Sequence, residues 1–339
     1  MSNYSNTISE ILHQADTLEN ALPIRNEACR SKFFFHPQPT TKVCLFFHGF
    51  TAGPYQFEPL GKAFFEAGYN VLIPLQPGHG MAGNWNSDNP PPLPTEAQIY
   101  QEFAISWLKV AQNLGEQVIV GGLSSGGTLA SWLALECGQQ IEKALLFSPY
   151  LGGNNIIVDF LVQVLPIYYE WPNKDNSGNH GYDGFLMPAL RLFLDMGQGT
   201  LSKVKNSNSG IPMFIVTSES DEVINRSELK SFFLYLIKQQ PNSWYYSFDK
   251  FFDIPHTMMT QAEGNRYQDL LITIAKAYVE SGITWRDLIR VGYQILHGKT
   301  LETAVTELNL IQEVSPELFV LLAVIDKKTI IDADYLHFL

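Results

Sequence analysis

Cysteine is scarce in this chain: Cys29, Cys44 and Cys137 are three among 339 residues, an odd number with no C-x-x-C spacing. A disulfide framework and the common thiolate zinc patterns are thereby excluded. A reducing, cytoplasmic setting is the expectation. Long apolar runs are missing too. No stretch approaches the roughly 18 consecutive apolar residues of a membrane span. The late run at 318–325, flanked by Glu317 and Asp326, reads instead as a buried helix. Residues 1–20 hold neither a basic n-region nor an unbroken apolar core, so no signal peptide is read there.

Basic side chains are also in deficit. Lys and Arg number 22 against 34 Asp and Glu, a formal net charge of −12. A surface of that sign repels phosphate backbones and anionic headgroups, which argues against nucleic acid as a partner. With 45% hydrophobic and 17% charged residues, the chain has the makings of an ample core and none of the marks of disorder. Its length suits one large domain with a smaller appendage, and no internal repeat is present.

Ile8, Ile11, Leu12, Ala15 and Leu18 recur at helical spacing and predict a short amphipathic helix. Residues 32–35 read as an early strand, ended by Pro37 and Pro39. Strand and helix patterns then alternate. Strands are expected at 43–47, 70–75, 118–120, 144–147, 213–217 and 244–248, with helices at 57–67, 95–114 (Thr95 as its cap) and 129–135. This alternation predicts an α/β fold with a mostly parallel central sheet and helices on both faces. Residues 151–210 interrupt it with an aromatic stretch (160–171), a Gly/Asn-rich stretch (173–184) and a helical pattern (186–196). An insertion of that size between two core strands predicts a cap. Residues 282–339 exceed what the sheet needs and read as helices at 285–296, 301–308 and 317–325. The division expected is an N-terminal segment (1–41), a core (42–150 and 211–281), a cap (151–210) and an α-helical C-terminal extension (282–339).

The most informative segment joins the β-branched run 118–120 to Gly122-Leu123-Ser124-Ser125-Gly126 and a following helix. G-x-S-x-G at a strand-to-helix junction is the pattern of a nucleophile elbow, in which a strained turn lifts a serine hydroxyl above the sheet edge. Glycines two residues to either side are required because a Cβ there would strike the neighbouring strand or helix. Ser125 is a rival nucleophile, but its minus-two neighbour is Leu123, so the spacing favours Ser124.

A serine hydroxyl needs a base, and the base an orienting acid. Asp221 stands just past the strand at 213–217, and His256 follows the last strand. Glu219, Glu222 and Asp249 compete for the acid role. Of the eight histidines, His256 is the one that follows the acid at a strand-end loop; His297 and His337 fall in the helical extension. Oxyanion donors are expected from the backbone N–H groups of Ser125 and of Phe50, the latter in the loop after the strand at 43–47. The Phe50 ring is placed to line an acyl pocket, and His48 is expected to hold that loop rather than act as base or metal ligand.

These residues give the chain its resemblance. His48-Gly49-Phe50-Thr51, Pro77-Gly78-His79-Gly80, Gly122-Leu123-Ser124-Ser125-Gly126, Asp221 and His256 are similar to the motifs of the α/β-hydrolase superfamily, in its carboxylesterase and monoacylglycerol-lipase-like branch. The resemblance covers residues from about 42 to 280. It implies an α/β-hydrolase fold and serine-hydrolase chemistry with Ser124, Asp221 and His256 as nucleophile, acid and base, Phe50 and Ser125 as oxyanion donors, and no cofactor or metal. It does not imply a substrate, since the fold hosts many. His-Gly-Phe replaces the His-Gly-Gly-Gly of another esterase branch, which fits medium acyl chains better than bulky alcohols. The segment after Gly282 has no counterpart in simple family members.

Asp175, Ser177, Asn179 and Asp183 suggest a calcium loop, but His180 occupies the glycine position and no closing glutamate follows, so a plain cap loop is the better reading. The paired glycines of the elbow lack the Gly-Lys-Ser/Thr of a phosphate cradle. Tyr168, Tyr169, Trp171, Tyr182 and Phe185 divide between pocket lining and cap core. The function expected is hydrolysis of a small ester with an apolar acyl chain. Thioester, amide or carbon–carbon cleavage by the same groups remains open, as does a non-catalytic receptor. A homodimer through the C-terminal helices is a further possibility.

Overall fold

The computed structural model describes residues 2–155, 159, 162–172, 178–206 and 210–325. Asp175 and Ser177 of the calcium reading, Phe160, His337 and the stretch 326–339 lie outside the described residues.

Seven strands form one sheet in the order β1-β3-β2-β4-β5-β8-β9. They are β1 (Lys32–Phe34), β2 (Lys42–Phe47), β3 (Asn70–Ile73), β4 (Gln117–Leu123), β5 (Lys143–Phe147), β8 (Met213–Ser218) and β9 (Trp244–Phe248). β1 runs antiparallel to β3, and every other pairing is parallel. The central strands are continuous apolar runs rather than alternating ones. Val43–Phe47 and the whole of β5 are buried, as a sheet covered on both faces requires.

The helices are α1 (Ser2–Asn20), α2 (Glu58–Glu66), α3 (Ala97–Gln112), α4 (Ser125–Glu136), α5 (Met187–Asn206), α6 (Arg226–Leu236), α7 (Gln268–Val279), α8 (Trp285–Leu296), α9 (Leu301–Glu307) and α10 (Leu318–Val324). α3, α4, α5 and α6 pack on one another in one layer, while α2 packs with α7 and α7 with α10 in a second. Among the described residues no helix is long and apolar enough to cross a membrane.

Three local expectations need correction. Thr95 does not cap α3: the chain stays extended through Glu96, which precedes Ala97 and makes no side-chain capping bond. Thr95 and Ala97 instead face a groove shared with α5. Second, the region 151–210 contains an antiparallel ribbon, β6 (Tyr168–Glu170) with β7 (Gly184–Leu186), where no strand was expected. Its strands have three residues each, and the cross-strand pair Tyr169–Phe185, 5.7 Å between ring centroids, holds them together. Third, α5 runs well past residue 196 through Gly197 and Gly199. Gly197 is needed there because its Cβ would lie 2.6 Å from the Tyr150 carbonyl oxygen, so the helix passes tight against residues 150–151.

The C-terminal helices lie over the β9 end of the sheet. Thr284 and Asp287 form a capping box that starts α8. Trp285 packs on Phe233, the Trp244 indole donates to the Ile283 carbonyl at 3.2 Å, and the Tyr246 hydroxyl to that of Val324 at 3.3 Å. Lys143, buried at the start of β5, donates to the carbonyls of Tyr278, Val279 and Ser281 at 3.2, 2.9 and 2.6 Å, closing the C-terminal end of α7.

Candidate active site

The loops that carry the sequence-predicted residues all leave the carboxyl edge of the parallel sheet: Phe50 follows β2, Ser124 follows β4, Asp221 follows β8 and His256 follows β9. Ser124 sits at φ 55°, ψ −118°, a conformation that L-residues rarely adopt. Its surroundings hold it there. Ser124 N–H donates to Phe147 O at 2.9 Å, and its carbonyl accepts from the N–H groups of Thr128 and Tyr150. The flanking glycines are obligatory for the reason the sequence implies. A Cβ on Gly122 would stand 2.1 Å from Gly126 O, and one on Gly126 would stand 2.1 Å from Phe47 O and 2.4 Å from His48 O.

Ser124 is partly exposed, whereas the hydroxyl of Ser125 is buried. A buried Oγ cannot reach a substrate, so the rival serine contributes only its backbone here. Among the described residues neither the Phe50 nor the Ser125 N–H is taken up by another backbone group. Ser125 opens α4, where first-turn N–H groups have no intrahelical partner.

Two buried histidines hold the loop that presents Phe50. His48 Nε2 accepts from Gln76 N–H at 3.1 Å, which leaves Nδ1 to donate to Gly49 O at 3.0 Å. Burial pushes its pKa well below the usual imidazole range, so it stays neutral in that tautomer. His79 Nε2 accepts from Thr51 N–H at 3.2 Å while its Nδ1 faces Pro77 O at 3.0 Å. Burial pushes its pKa down to about 4. Phe50 is thus flanked by two residues fixed by neutral imidazoles. The expected structural role of His48 agrees with these bonds.

His256 Nδ1 lies 2.8 Å from Asp221 Oδ2, and Val223 N–H donates to the other carboxylate oxygen at 2.9 Å. The Asp221 side chain is fully buried and that of His256 is 18% exposed. Burial alone would raise the Asp221 pKa, but the charge and hydrogen bond of His256 outweigh it and hold the carboxyl below its ordinary value. An ionised Asp221 makes Nδ1 the donor and leaves Nε2 as the free acceptor. Among the described residues no hydrogen bond joins Ser124 Oγ to His256 Nε2: the one side-chain bond of His256 is that of Nδ1 to Asp221. Two of the three competing acids are occupied elsewhere, and the third faces solvent. Glu219 accepts from Lys250 N–H, Asp249 caps Phe251 N–H, and Glu222 is exposed.

Trp171, Tyr182, Phe185 and Phe193 touch the Phe50 loop directly. Trp171 Nε1 donates to Thr51 Oγ1 at 2.9 Å and Tyr182 N–H to Thr51 O at 2.8 Å. The Phe50 ring meets Phe185 edge-on at 4.9 Å and Phe193 at 5.7 Å. Tyr182 and Phe185 are buried, and Tyr169 is exposed. A groove of about 660 Å³ between α3, α4 and α5, lined among others by Trp132, Arg191 and Leu192, contains none of the candidate residues. Among the described residues no group of three metal-ligating side chains converges.

Sequence reasoning missed one participant. Glu263, buried on the loop after β9, accepts from Gln56 Nε2 at 2.8 Å, Tyr55 OH at 3.0 Å and Thr260 Oγ1 at 3.0 Å. Its partners Tyr55 and Gln56 lie about two hundred positions earlier, so no local pattern signals the cluster. A carboxylate with an apolar neighbour on either side would have been its one hint, and Ala262-Glu263-Gly264 is too common to use.

The family model described as the alpha/beta hydrolase family matches residues 44–233, more than half of the chain. The protein therefore belongs to the alpha/beta hydrolase family. A thermostable monoacylglycerol lipase of Bacillus sp. (strain H-257) is 36% identical over 96 residues, a match spanning 26% of this chain and 34% of that lipase. The matched part is thus about a third of the relative's length. Among solved structures, one of the metagenome-derived lipolytic enzymes LipS and LipT superposes with a TM-score of 0.59 at 15% identity, covering 74% of this chain and 96% of that one. A monoacylglycerol lipase of Paleococcus ferrophilus gives 0.57 at 14% identity, covering 72% and 95%. At such identities these two neighbours establish the common fold.

Proposed function

We propose that the protein is a serine hydrolase that cleaves a carboxylic ester with an apolar acyl chain through an acyl-enzyme on Ser124. His256 Nε2 takes the Ser124 proton as Oγ attacks the ester carbonyl. The N–H groups of Phe50 and Ser125 bind the oxyanion of the tetrahedral intermediate. The imidazolium then returns its proton to the departing alcohol as the ester C–O bond breaks. Water, deprotonated by the same imidazole, attacks the acyl-enzyme and releases the carboxylic acid and free Ser124. Asp221 keeps the imidazole in the Nδ1–H tautomer and stabilises its cationic form. Each oxyanion donor in such a site is worth about 10²–10³ in turnover. No step calls for a cofactor.

The observation that carries this reading is the pairing of His256 with the buried Asp221, 2.8 Å apart, on the sheet edge that also bears Ser124 at positive φ. The apolar acyl preference follows the sequence expectation; the rings of Phe50, Phe185 and Phe193, buried against one another, form an apolar cluster behind the loop that bears the Phe50 N–H. Lipase names among the relatives agree with an ester substrate. Within the proposal, residues 42–150 and 211–281 form the hydrolase core, 151–210 a cap and 282–339 a helical extension, acting in the cytoplasm. Exposed Tyr293, Ile311 and Phe319 give the extension a surface for self-association, which sedimentation at two concentrations tests.

The decisive experiment is labelling with a fluorophosphonate, comparing the native protein with Ser124→Ala. Labelling lost in the variant together with hydrolysis of short p-nitrophenyl esters supports the reading. Labelling retained by Ser124→Ala removes it. A native protein that neither labels nor hydrolyses any ester, thioester or amide points to a receptor instead.

A further inference from the structure

We infer that Glu263 is a positioning residue that fixes the oxyanion loop through the side-chain amide of Gln56. The inference rests on the serine-hydrolase reading and adds to it a group that neither the elbow nor the Asp221–His256 pair contains.

Glu263 is 3% exposed and Gln56 is 1% exposed, so both side chains have left water for the partners they have inside the protein. One Glu263 oxygen accepts from Gln56 Nε2 and Tyr55 OH, and the other from Thr260 Oγ1. Gln56 Oε1 in turn accepts from Gly49 N–H at 2.8 Å. The chain Glu263–Gln56–Gly49 is directional. A carboxylate oxygen only accepts, so the amide must turn its NH₂ to Glu263 and its oxygen to Gly49. Remove the acceptor at 263 and the amide loses the reason to face that way. Turned over, it would set NH₂ against the Gly49 N–H, donor against donor.

The consequence reaches the donor that the mechanism uses. Gly49 O accepts from His48 Nδ1 and from Ala52 N–H at 3.2 Å. With Gly49 N–H held by Gln56, both ends of Gly49 are pinned, and with them the peptide plane that carries the Phe50 N–H. Protonation of Glu263 does not break this arrangement. Burial pushes its pKa up to about 7, and the protonated acid can donate to Thr260 Oγ1 through one oxygen while the other still accepts from Gln56. The groups that face the carboxyl are Tyr55, Gln56 and Thr260, with the His256 charge acting on it from the same loop. The loop after β9 therefore presents the base with one residue and anchors the oxyanion loop with another. Asn265 braces it, donating to Met258 O at 2.6 Å and accepting from Tyr267 N–H at 2.8 Å.

The test compares Glu263→Leu, Glu263→Gln and Gln56→Met with the native chain. Active sites are titrated with a fluorophosphonate, and p-nitrophenyl butyrate hydrolysis is expressed per titrated site. Expected for Glu263→Leu and Gln56→Met is a fall in kcat of about tenfold or more with KM within about twofold, the split of a displaced transition-state donor. Glu263→Gln, which keeps an oxygen for Gln56, recovers kcat to within about threefold of native. A merely structural role would lower the number of titratable sites and leave kcat per site untouched, and that result overturns the inference. So does a Glu263→Gln as impaired as Glu263→Leu, since the acceptor would then not be what matters. If Glu263→Leu does not fold, Gln56→Met decides alone, because it leaves the Tyr55 and Thr260 bonds of Glu263 in place. Native protein without labelling or hydrolysis removes the serine-hydrolase reading and this inference with it. Native activity with unaffected variants removes only the inference.

Discussion

One methyl group, added at two different glycines, should move the stability of this protein in opposite directions. At Gly126 an alanine Cβ would lie 2.1 Å from Phe47 O and 2.4 Å from His48 O. Unstrained carbon–oxygen contacts are about 3.2 Å or longer, so the shortfall is about 1 Å, and both obstacles are backbone rather than a side chain that could swing aside. α4 would have to withdraw from the end of β2, in the middle of the sheet. The cost is put at about 3 kcal/mol or more, set against a gain of at most about 1 kcal/mol in helix propensity. Gly199 sits exposed inside α5 with nothing within 4 Å of its Cβ position. There the propensity gain stands alone and should stabilise by about 0.5–1 kcal/mol. Urea denaturation of both variants, followed by circular dichroism at one pH, measures the difference. Gly126→Ala within about 1 kcal/mol of the native protein would refute the reasoning, because the elbow would then have slack that the distances deny. Under the proposed mechanism the damage should also reach activity, since the second obstacle, His48 O, lies next to the loop that carries Phe50.

Three further outcomes are expected. Glu263 has its pKa raised to about 7 from 4.5, so its protonated form stabilises the fold fully at acid pH, and that contribution is lost as pH rises from about 4.5 through 7. Glu263→Gln should therefore gain stability relative to native on going from pH 5 to pH 8, by up to about 3 kcal/mol, and a pH-independent difference in urea titrations would contradict this. Asp221 has the opposite sign: its lowered pKa contributes stability above the unfolded carboxylate range that is lost as pH falls through the folded value, so Asp221→Asn should flatten the acid limb of a Tm-versus-pH curve. Lys143→Met removes the donor shared by three carbonyls at the end of α7 and should cost about 2–4 kcal/mol; an unchanged Tm would show those carbonyls to be otherwise satisfied.

The strands that position the candidate site were the most legible part of the sequence, because β2, β4, β5 and β8 are buried on both faces and so read as unbroken apolar runs. The elbow was legible for a different reason: its glycines answer to backbone contacts about 2 Å from where a Cβ would be, and no other residue type fits. β6 and β7 were hidden because three-residue strands offer no period to detect, and what joins them, Tyr169 against Phe185, is a pairing across sixteen positions. The far half of α5 was hidden by Gly197, which belongs to a close approach rather than a helix end. Glu263 was the least legible. Its meaning lies entirely in Tyr55 and Gln56, which only folding brings to it.

The strand order has a bearing on how this chain emerges from a ribosome. β5 is paired with β4 as soon as both exist, but its other neighbour, β8, follows only after residues 148–212, and β9 later still. Until then the nascent chain offers an open apolar strand edge at β5, and Lys143 has none of the carbonyls that later surround it. Ser124 is thus synthesised long before Asp221 and His256 can reach the sheet. A partly made or nicked chain that has lost its last third would keep the elbow sequence and Asp221 yet lack His256, which completes the proposed site. Turnover, in such a protein, reports that the final strand has docked.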